Sequence, residues 1–471
     1  MMRNLIPVLA LAAVLCSCGP EPQKTITSVA DVDSLAEALK AEILNSESRY
    51  TVAGDVYYVS CDGDDAADGL SEKTPVRSIE KVNEMPLKPG DVVLFRRGDL
   101  WRGHIVAQDG VTYSAYGKGP KPRLYGSPFN SGSPEHWAET DAEGVWALTT
   151  PLPDDVGTLV FNDGDKGCAY KVLIDVDCDG NTFHLATGEP FHSYRDLHRD
   201  LDLYHDPETG VVYLCSLEGN PGSRFGSIEM LTHGHTFAVL SVGAKLDNFC
   251  VKYTGAHGVA GRDGVTSLEV TNCEFGWIGG SIQHQNPAPT VPGKKVHPTR
   301  YGNGIELWGT CDHYLVDHNY VYQCYDAGVT HQWHDPNPGP VQKDITYTRN
   351  LVQDCVYCLE YFLTAPGDSC LMKDVLVKDN IFRRAGDYGW GFQRPDKGTP
   401  AIIKAWKGHE YPTENFRIEN NIIDRGNPHL LDVHAGKPEW MPVCSGNIFL
   451  QDAGVPVGTE IEKGAEIIEV K

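Results

Sequence analysis

The stretches NYVYQCYDAGVTHQ (319–332) and NLVQDCVYCLEYF (350–362) share one pattern, in which an Asn is followed by apolar residues, a turn and a second short apolar strand. The opening Asn recurs along the second half of the chain at intervals of 24, 47, 31, 30, 41 and 26 residues. It stands at seven positions: Asn248, Asn272, Asn319, Asn350, Asn380, Asn421 and Asn447. A repeat of this length is typical of a solenoid.

The repeat predicts an all-β fold, a right-handed parallel β-helix, in which each repeat forms one coil. A coil needs roughly 20 residues or slightly more. The longer intervals are then a coil with an insertion, or two coils in the case of 47. Propeller blades of ~40 residues and helical repeats with a 3.6-residue pattern fit the sequence less well. We interpret the Asn as a structural ladder, whose side chains hydrogen-bond buried backbone at a turn.

Two segments near the start of the chain carry a resemblance to a known family. Residues 55–83 read DVYYVSCDGDDAADGLSEKTPVRSIEKVN, and residues 86–103 read PLKPGDVVLFRRGDLWRG. Both segments resemble the opening of many secreted pectate-lyase-like β-helix proteins, and the resemblance covers about 50–130 and 230–455. It implies the fold without selecting an activity, because proteins of this fold include hydrolases, lyases, epimerases and adhesins.

The domain organisation follows from changes in pattern along the chain. Apolar residues at helical spacing predict a helix within 28–46, with Ser34 and Glu37 as a capping box, which covers the open end of the solenoid. Alternating strands and turn residues predict a β-rich subdomain inserted into the solenoid. The predicted regions are a signal peptide (1–18), a tether and capping helix (19–50), first coils (51–130), the insertion (131–230), the main β-helix (231–455) and a C-terminal tail (456–471).

The N-terminal sequence MMRNLIPVLALAAVLCSC has the form of a bacterial lipoprotein signal. Its apolar run from Leu5 to Leu15 is too short to cross a hydrocarbon core of roughly 30 Å, which indicates a cleaved signal and not a membrane helix. The stretch from Leu15 to Cys18 resembles a lipobox, with Cys18 as the lipidated residue. An ordinary signal peptidase site is the alternative. We expect export and a lipid anchor at a bacterial outer membrane, on the cell surface or the periplasmic face.

The net charge of the chain limits the classes of partner that it is expected to bind. The net charge of −24, from 64 acidic and 40 basic residues, argues against nucleic acid, which is bound through clustered Lys and Arg. We expect a carbohydrate substrate, a monomer, and membrane contact only through the lipid.

The fourteen cysteines show no paired zinc spacing. Most are interpreted as small buried hydrophobes, with a disulfide open to any pair stacked on neighbouring coils.

Four short strands align when the coils are superposed on the Asn: GIELW (304–308), GVTHQ (328–332), CLEYF (358–362) and GWGFQ (389–393). Alternation along a strand sends neighbouring side chains to opposite faces. The predicted inward set is Ile305, Val329, Leu359 and Trp390. The predicted outward column is Glu306, Thr330, Glu360 and Gly391, beside Trp308, Gln332, Phe362 and Gln393.

Glu306, Asp326 and Glu360 are the candidate catalytic residues. Coils stack ~4.8 Å apart, so the two glutamates, two coils apart, are expected roughly 10 Å from each other, with Asp326 on the intervening coil. Crowded acids resist joint ionisation, which supplies a proton donor beside a carboxylate base or nucleophile. The candidate substrate-binding residues are Trp308, His331, Trp333, Arg300, Arg394 and Gln393, of which His331 is expected to face inward from its strand.

These residues predict a glycoside hydrolase that acts on a plant, algal or host polysaccharide or oligosaccharide. Long insertions after the strands are expected to form walls over one cleft. Their basic residues, among them Lys294, Lys397 and Lys407, favour the alternative of a polysaccharide lyase on a uronic-acid glycan, with calcium held by acids. A non-catalytic glycan-binding surface protein is the third possibility. No metal site and no cofactor are predicted for the hydrolase.

The lipidation prediction is testable on the exported protein. The Cys18→Ala variant should lack an N-terminal lipid and leave the membrane fraction, because the apolar run cannot anchor the chain alone. Fractionation and mass spectrometry of the mature N-terminus measure this, with Cys16→Ala as the control that keeps the lipid. A Cys18→Ala protein that stays in the membrane fraction would contradict the assignment.

Overall fold

The chain forms a parallel β-helix. The computed structural model describes residues 26–239, 242–262, 267–334, 339–364, 370–395, 397–406 and 411–471. Cys18 lies outside these ranges. Within them, three long sheets, named A, B and C here, run along the solenoid, and neighbouring strands pair in parallel from coil to coil. This confirms the predicted fold class.

The sheets consist of short strands in chain order. Sheet A contains Val56–Val59, Val92–Arg96, Thr112–Tyr116, Ala244–Asp247, Leu268–Thr271, Tyr314–Asp317, Val341–Thr348, Leu371–Lys378, Thr413–Glu419 and Val443–Ser445. Sheet B contains Leu100–Arg102, Arg123–Tyr125, Cys250–Thr254, Glu274–Ile278, Tyr320–Cys324, Leu351–Gln353, Ile381–Gly386, Ile422–Asn427, Ile448–Asp452 and Ile467–Val470, with Ile228–Thr232 and Val156–Phe161 joined beside it. Sheet C contains Ile105–Ala107, Phe237–Val239, Val259–Arg262, Ile305–Trp308, Ala327–His334, Tyr357–Thr364, Ala401–Ala405 and Leu431–Asp432.

The core fills the inside of the coils. Ile305, Val329 and Leu359 lie opposite one another in sheet C and are fully buried, as alternation predicted. Burial of a large aliphatic side chain stabilises a fold by about 1.5–3 kcal/mol. Repetition of this layer at every coil therefore holds the three sheets together. All twelve cysteines from Cys61 onward are free thiols, and most of them are buried.

The fourth strand of the predicted alignment was wrong. Residues 389–393 do not join sheet C, because Trp390–Gln393 is a 3-10 helix. The strand that follows Tyr357–Thr364 is Ala401–Ala405, which places Lys404 opposite Glu360. Trp390 is buried, but its indole N–H donates to the Gln323 carbonyl at 2.8 Å and its ring lies outside the coil interior.

The predicted Asn ladder is present. The backbone N–H of Asn319 donates to Asn350 Oδ1 at 3.0 Å, and that of Asn350 donates to Asn380 Oδ1 at 3.0 Å. Asn421 and Asn447 continue the series with the same bonds. Each amide also donates through Nδ2 to the next Oδ1, so the ladder satisfies buried backbone at every coil.

Two of the seven predicted ladder residues lie one position earlier. The register of sheet A aligns Asn272 with His318, not with Asn319, and Asn248 stands at the same place on the preceding coil. Both asparagines have positive φ, at 65° and 54°, as do the aligned residues of later coils. Asn tolerates this left-handed conformation better than most residues, which explains its presence there.

Within the described ranges, three α-helices accompany the sheets: α1 (Val29–Leu44), α2 (Ile79–Glu84) and α3 (Pro221–Arg224). The capping-box prediction at Ser34 was wrong by six residues, because Ser28 is the N-cap of α1. The helix was expected to cover the open end of the solenoid. It lies instead on the outer face of sheet B, where its buried side chains pack against Tyr320, Leu351 and Ile381. No helix in the described ranges has the length and hydropathy to span a membrane.

The residues that lie in sequence between strand Arg123–Tyr125 of sheet B and strand Phe237–Val239 of sheet C form a separate β-rich unit with its own core. A five-stranded sheet contains Trp137–Glu139, Val145–Leu148, Tyr170–Lys171, Asp202–His205 and Val212–Cys215. Ile174–Asp177 pairs with Thr182–His184 and with Lys295–Val296, and Ile282–His284 pairs with Thr299–Arg300. The remaining 3-10 helices are Pro134–His136, Asn162–Gly164, Tyr194–Asp196 and Pro438–Trp440.

The structure explains the longest interval between the predicted ladder residues and the role of the C-terminal residues. The interval of 47 residues is one coil with an insertion, because Glu274–Ile278 pairs directly with Tyr320–Cys324. The inserted segment meets the β-rich unit through Lys295–Val296. Residues 456–471, predicted as a tail, add a strand to sheet B and pack Ile461 against the core.

The ladder predicts a specific loss of stability. The Asn350→Ala variant leaves the Asn319 N–H and the Val316 carbonyl without their partner, and each unsatisfied buried group costs roughly 1–3 kcal/mol. We expect the free energy of unfolding to fall by about 2 kcal/mol or more in chemical denaturation. Asn286→Ala, in an exposed segment, is the control and should change it by less than about 0.5 kcal/mol. Equal effects of the two variants would contradict the role of the ladder.

Candidate functional site

The outer face of sheet C holds a cavity of about 460 Å³. Its floor is formed by three neighbouring strands, here labelled β1 (Ile305–Trp308), β2 (Ala327–His334) and β3 (Tyr357–Thr364). Side chains that alternate with the buried aliphatic set point into it. It is lined by His284, Tyr301, Asn303, Glu306, Trp308, Asp326, Gln332, His334, Glu360, Phe362, Arg394 and Trp406.

The structure brings the three predicted acids together. Glu306 on β1 and Glu360 on β3 both lie opposite Thr330 of β2, so they are two coils apart in one column. Asp326 directly precedes β2 and enters the same cavity. The three residues are only 2%, 6% and 4% exposed for Glu306, Asp326 and Glu360. Acids this deeply buried are rare on a protein surface without a chemical or structural role.

Glu360 is held in conditions that favour its protonated form. Burial, followed by the nearby charge of Asp326, raises the pKa of Glu360 to about 8. The indole N–H of Trp406 donates to its Oε1, and this bond opposes the shift. A carboxylic acid with such a pKa retains its proton near neutral pH and can donate it.

Asp326 has a different environment. Its carboxylate forms an ion pair with the guanidinium of Arg394, which is itself 8% exposed. The backbone of Asp326 is also fixed, because its carbonyl accepts from Val356 N at 3.1 Å and its N–H donates to Gly302 O at 3.2 Å. An adjacent cation stabilises the charged carboxylate. Asp326 and Glu360 are therefore one charged and one proton-bearing group in the same cavity.

Glu306 is oriented by side-chain amides. It accepts from Asn303 Nδ2 at 2.5 Å and from Gln332 Nε2 at 3.1 Å, and His257 Nδ1 lies 3.3 Å away. The Asn303 amide is itself oriented, because its Oδ1 accepts from the Ala327 N–H at 2.8 Å. Asn303 thus acts as a positioning residue. The sequence analysis missed it, although it stands three residues before Glu306.

Aromatic rings form the walls of the cavity. Trp308 and Phe362 belong to the column beside the acids, with Gln332 between them, as predicted. Their ring centroids are 6.0 Å apart in an edge arrangement. Trp406, which the sequence analysis missed, follows Ala401–Ala405 and extends this wall. Flat aromatic surfaces beside carboxylates suit the apolar faces of a sugar ring.

Four of the predicted substrate-binding residues lie elsewhere. Arg300 is 1% exposed and donates to the carbonyls of Gly280 and Gly157 at 2.6 and 3.0 Å. Gln393 donates to the Ala169 carbonyl at 3.0 Å and faces the β-rich unit. Both side chains form hydrogen bonds that join the solenoid to the inserted segments. Their role is therefore structural, and the prediction that they bind substrate is corrected.

His331 and Trp333 lie on the opposite face of β2. His331 is fully buried, bonds Tyr347 Oη at 2.8 Å, and burial lowers its pKa to about 3. Trp333 packs against the core, with its ring edge-on to Trp308 at 5.9 Å. The alternation of the strand places them there. Of the six predicted substrate-binding residues, the cavity therefore contains Trp308 and Arg394.

Several basic residues of the insertions have partners away from the three acids. Lys397 pairs with Asp387, and Lys404 pairs with Asp432. Lys295 lies 3.3 Å from the ring centroid of Phe183 in the β-rich unit. Lys407 lies outside the described residues. Arg394 is the one Lys or Arg among the described residues that line the cavity.

No family model matches this chain, and no curated protein matches it. Solved structures do resemble it. One described as a glycoside hydrolase is 9% identical, with a TM-score of 0.48, and the match covers 88% of this chain and 96% of that one. Pectate lyase Pel9A is 12% identical (TM-score 0.44; 88% and 74% covered), and XylC in complex with xylose is 12% identical (TM-score 0.38; 88% and 86% covered). These values do not support a transfer of activity, so the chemistry must be inferred from the residues of this chain.

The raised pKa of Glu360 predicts a pH-dependent stability. The contribution of the protonated acid is fully present below the unfolded pKa of about 4.5 and is lost as the pH rises towards the folded value of about 8. Glu360→Gln cannot ionise. The free energy of unfolding of the wild type, minus that of the variant, should therefore fall between these pH values by at most about 1.4 kcal/mol per pH unit, and level off above them.

Denaturation curves at a series of pH values measure this difference. Glu419→Gln is the matched control, because Glu419 is half-buried on sheet A and pairs with Arg417 at 3.2 Å, a cation that keeps its charge over this pH range. The control difference should stay nearly constant over the same range. Parallel pH curves for wild type and Glu360→Gln would show that Glu360 is ionised in the folded protein.

Proposed function

We propose that this protein is a carbohydrate-active enzyme, a glycoside hydrolase that uses Glu360 as the general acid and Asp326 as the partner carboxylate. The observation that carries the proposal is the contrast between two adjacent buried acids. One is held protonated by burial and neighbouring charge, and the other is paired with Arg394. Pairs of carboxyl groups with opposed protonation are what glycosidic bond hydrolysis requires.

In the proposed reaction, Glu360 donates its proton to the glycosidic oxygen as the bond to the anomeric carbon breaks. Asp326 acts on the other side of the sugar, either as a base that takes a proton from water or as a nucleophile. Glu306, with its orientation fixed by Asn303 and Gln332, supplies a further negative charge beside the cationic transition state. The aromatic wall of Trp308, Phe362 and Trp406 would stack on the sugar ring.

The charges in the cavity favour a neutral sugar over a uronic acid. Among the residues that the structure describes, three carboxyl groups and one guanidinium line it, and that guanidinium is engaged by Asp326. A substrate carboxylate would meet like charges without a cation of its own. For the same reason we rank a polysaccharide lyase lower, since its base would be a Lys or Arg and Arg394 is already paired. A non-catalytic glycan-binding surface protein would share the aromatic wall but would not need a buried acid held protonated.

The proposal also includes export and a lipid anchor at Cys18, on the basis of the N-terminal sequence. An anchored hydrolase would act on glycans at the cell envelope. The cavity faces outward from the middle of the solenoid, and a tether of the kind expected at 19–25 would leave it accessible.

The first experiment identifies the substrate and the reaction. The wild-type protein is incubated with a panel of neutral and acidic glycans, and the products are analysed by mass. Hydrolysis of a neutral glycan is expected. A product 18 Da lighter than the hydrolytic one would select a lyase, and binding without turnover would select a glycan-binding protein.

Variants then test the assignment of the acids. Glu360→Gln, Asp326→Asn and Glu306→Gln should each lower kcat/KM on that glycan, the first two by about 10²-fold or more. In the wild type, kcat/KM should decrease as the pH rises through about 8, because Glu360 loses its proton there. Glu269→Gln is the control and should retain full activity. Retention of activity within about tenfold by all three variants would place the active site elsewhere.

A further inference from the structure

A second cavity lies on a different face of the molecule. It measures about 810 Å³ and shares no lining residue with the acidic cavity. Its floor is the outer face of sheet B, at Arg123–Tyr125 and Cys250–Thr254, and one edge is the end of α1. Five cations line it: Arg97, Lys118, Lys121, Arg123 and Lys252.

Two of the three carboxylates that line this cavity pair with the same cation, Lys252. Glu274 and Asp163 lie 3.1 and 3.5 Å from the ammonium of Lys252. The third acid, Glu47, is exposed at the edge. The remaining cations are therefore in excess inside a protein whose net charge is −24.

Arg97 and Lys121 are buried cations whose bonds go to neutral groups. They are 9% and 3% exposed, and both donate to Asn248 Oδ1, at 2.7 and 3.1 Å. Their other bonds go to the carbonyl and hydroxyl oxygens of Ser46, at 2.8 and 2.9 Å, and Arg97 also donates to the Gly119 carbonyl at 3.2 Å. In the described part of the chain, neither has a carboxylate within 4.0 Å.

Arg123 adds a third cation, which is half-buried. Its guanidinium donates to the Gly98 carbonyl at 2.9 Å, and its Nε is buried without a hydrogen-bond partner. No carboxylate among the described residues pairs with it. The end of α1 supplies about half a negative charge, which is far less than three cations need. Burial accordingly lowers the pKa of Lys121 to about 8.

We propose that this cavity binds an oxyanion, a sulfate or phosphate group, through Arg97, Lys121 and Arg123. Buried charge is costly unless it is paired, and an anion in the cavity would supply the missing partner. Guanidinium and ammonium donors together match the geometry of a tetrahedral oxyanion. The site is independent of the proposed hydrolase chemistry, because none of its residues touches the acidic cavity.

Calorimetric titration of the full-length mature protein, at constant ionic strength, tests this site. Inorganic sulfate, inorganic phosphate and glucose 6-sulfate are the probes, with chloride as the background anion. We expect one saturable site per chain. Lys121→Met and Arg123→Met should each weaken the binding by about tenfold or more, because each removes a charged donor. Lys245→Met, which removes an exposed lysine of sheet A, should bind as the wild type does.

Thermal unfolding gives a second readout, and its comparison without sulfate does not depend on a correct choice of anion. Without sulfate, Lys121→Met should melt at or above the wild-type temperature, because the variant removes an unbalanced buried charge. With sulfate, only the wild type and Lys245→Met should gain stability. Tighter binding of glucose 6-sulfate would assign the site to a sulfated glycan, and equal binding would assign it to the free anion. Absence of saturable binding, or equal binding by wild type and Lys121→Met, would overturn the proposal.

Discussion

The backbone hydrogen bonds between successive coils set the position of every functional side chain in this protein. They are closed at one turn by a row of buried asparagines, in which each amide serves two coils. A strand that slipped by one residue would exchange its outward and inward faces. Glu306 and Glu360 would then lie in the core, and Ile305 and Leu359 would face solvent. The register held by the ladder is therefore a condition for the acidic cavity.

Within that register, differences in the immediate surroundings separate the three acids. Glu360 is deeply buried and accepts a hydrogen bond from one indole N–H. Asp326 forms an ion pair with a guanidinium, and Glu306 accepts hydrogen bonds from two side-chain amides. Carboxyl side chains on one surface thus acquire different tendencies to hold a proton. Charge, burial and hydrogen bonding act together here, because the same neighbouring chain segments that exclude water also supply the donors.

The insertions have two functions that their composition does not distinguish. Some of their side chains close the cavity, as Arg394 and Trp406 do. Others join the β-rich unit to the solenoid, as Arg300 and Gln393 do through backbone carbonyls. A basic residue in such a loop is as useful for satisfying a buried carbonyl as for binding an anion. This explains why the basic content of the loops was a poor guide to the substrate.

The sequence by itself determined the β-helix, the ladder at Asn319, Asn350 and Asn380, and the convergence of Glu306, Asp326 and Glu360, because these depend on local period and strand alternation. Only the tertiary structure decided which strand of sheet C follows Tyr357–Thr364, where α1 lies, and the roles of Arg300 and Gln393. Those features depend on contacts between segments far apart in the chain. Trp406 reaches Glu360 across 46 residues, and Arg97 reaches Asn248 across 151. No spacing within one coil reports such contacts.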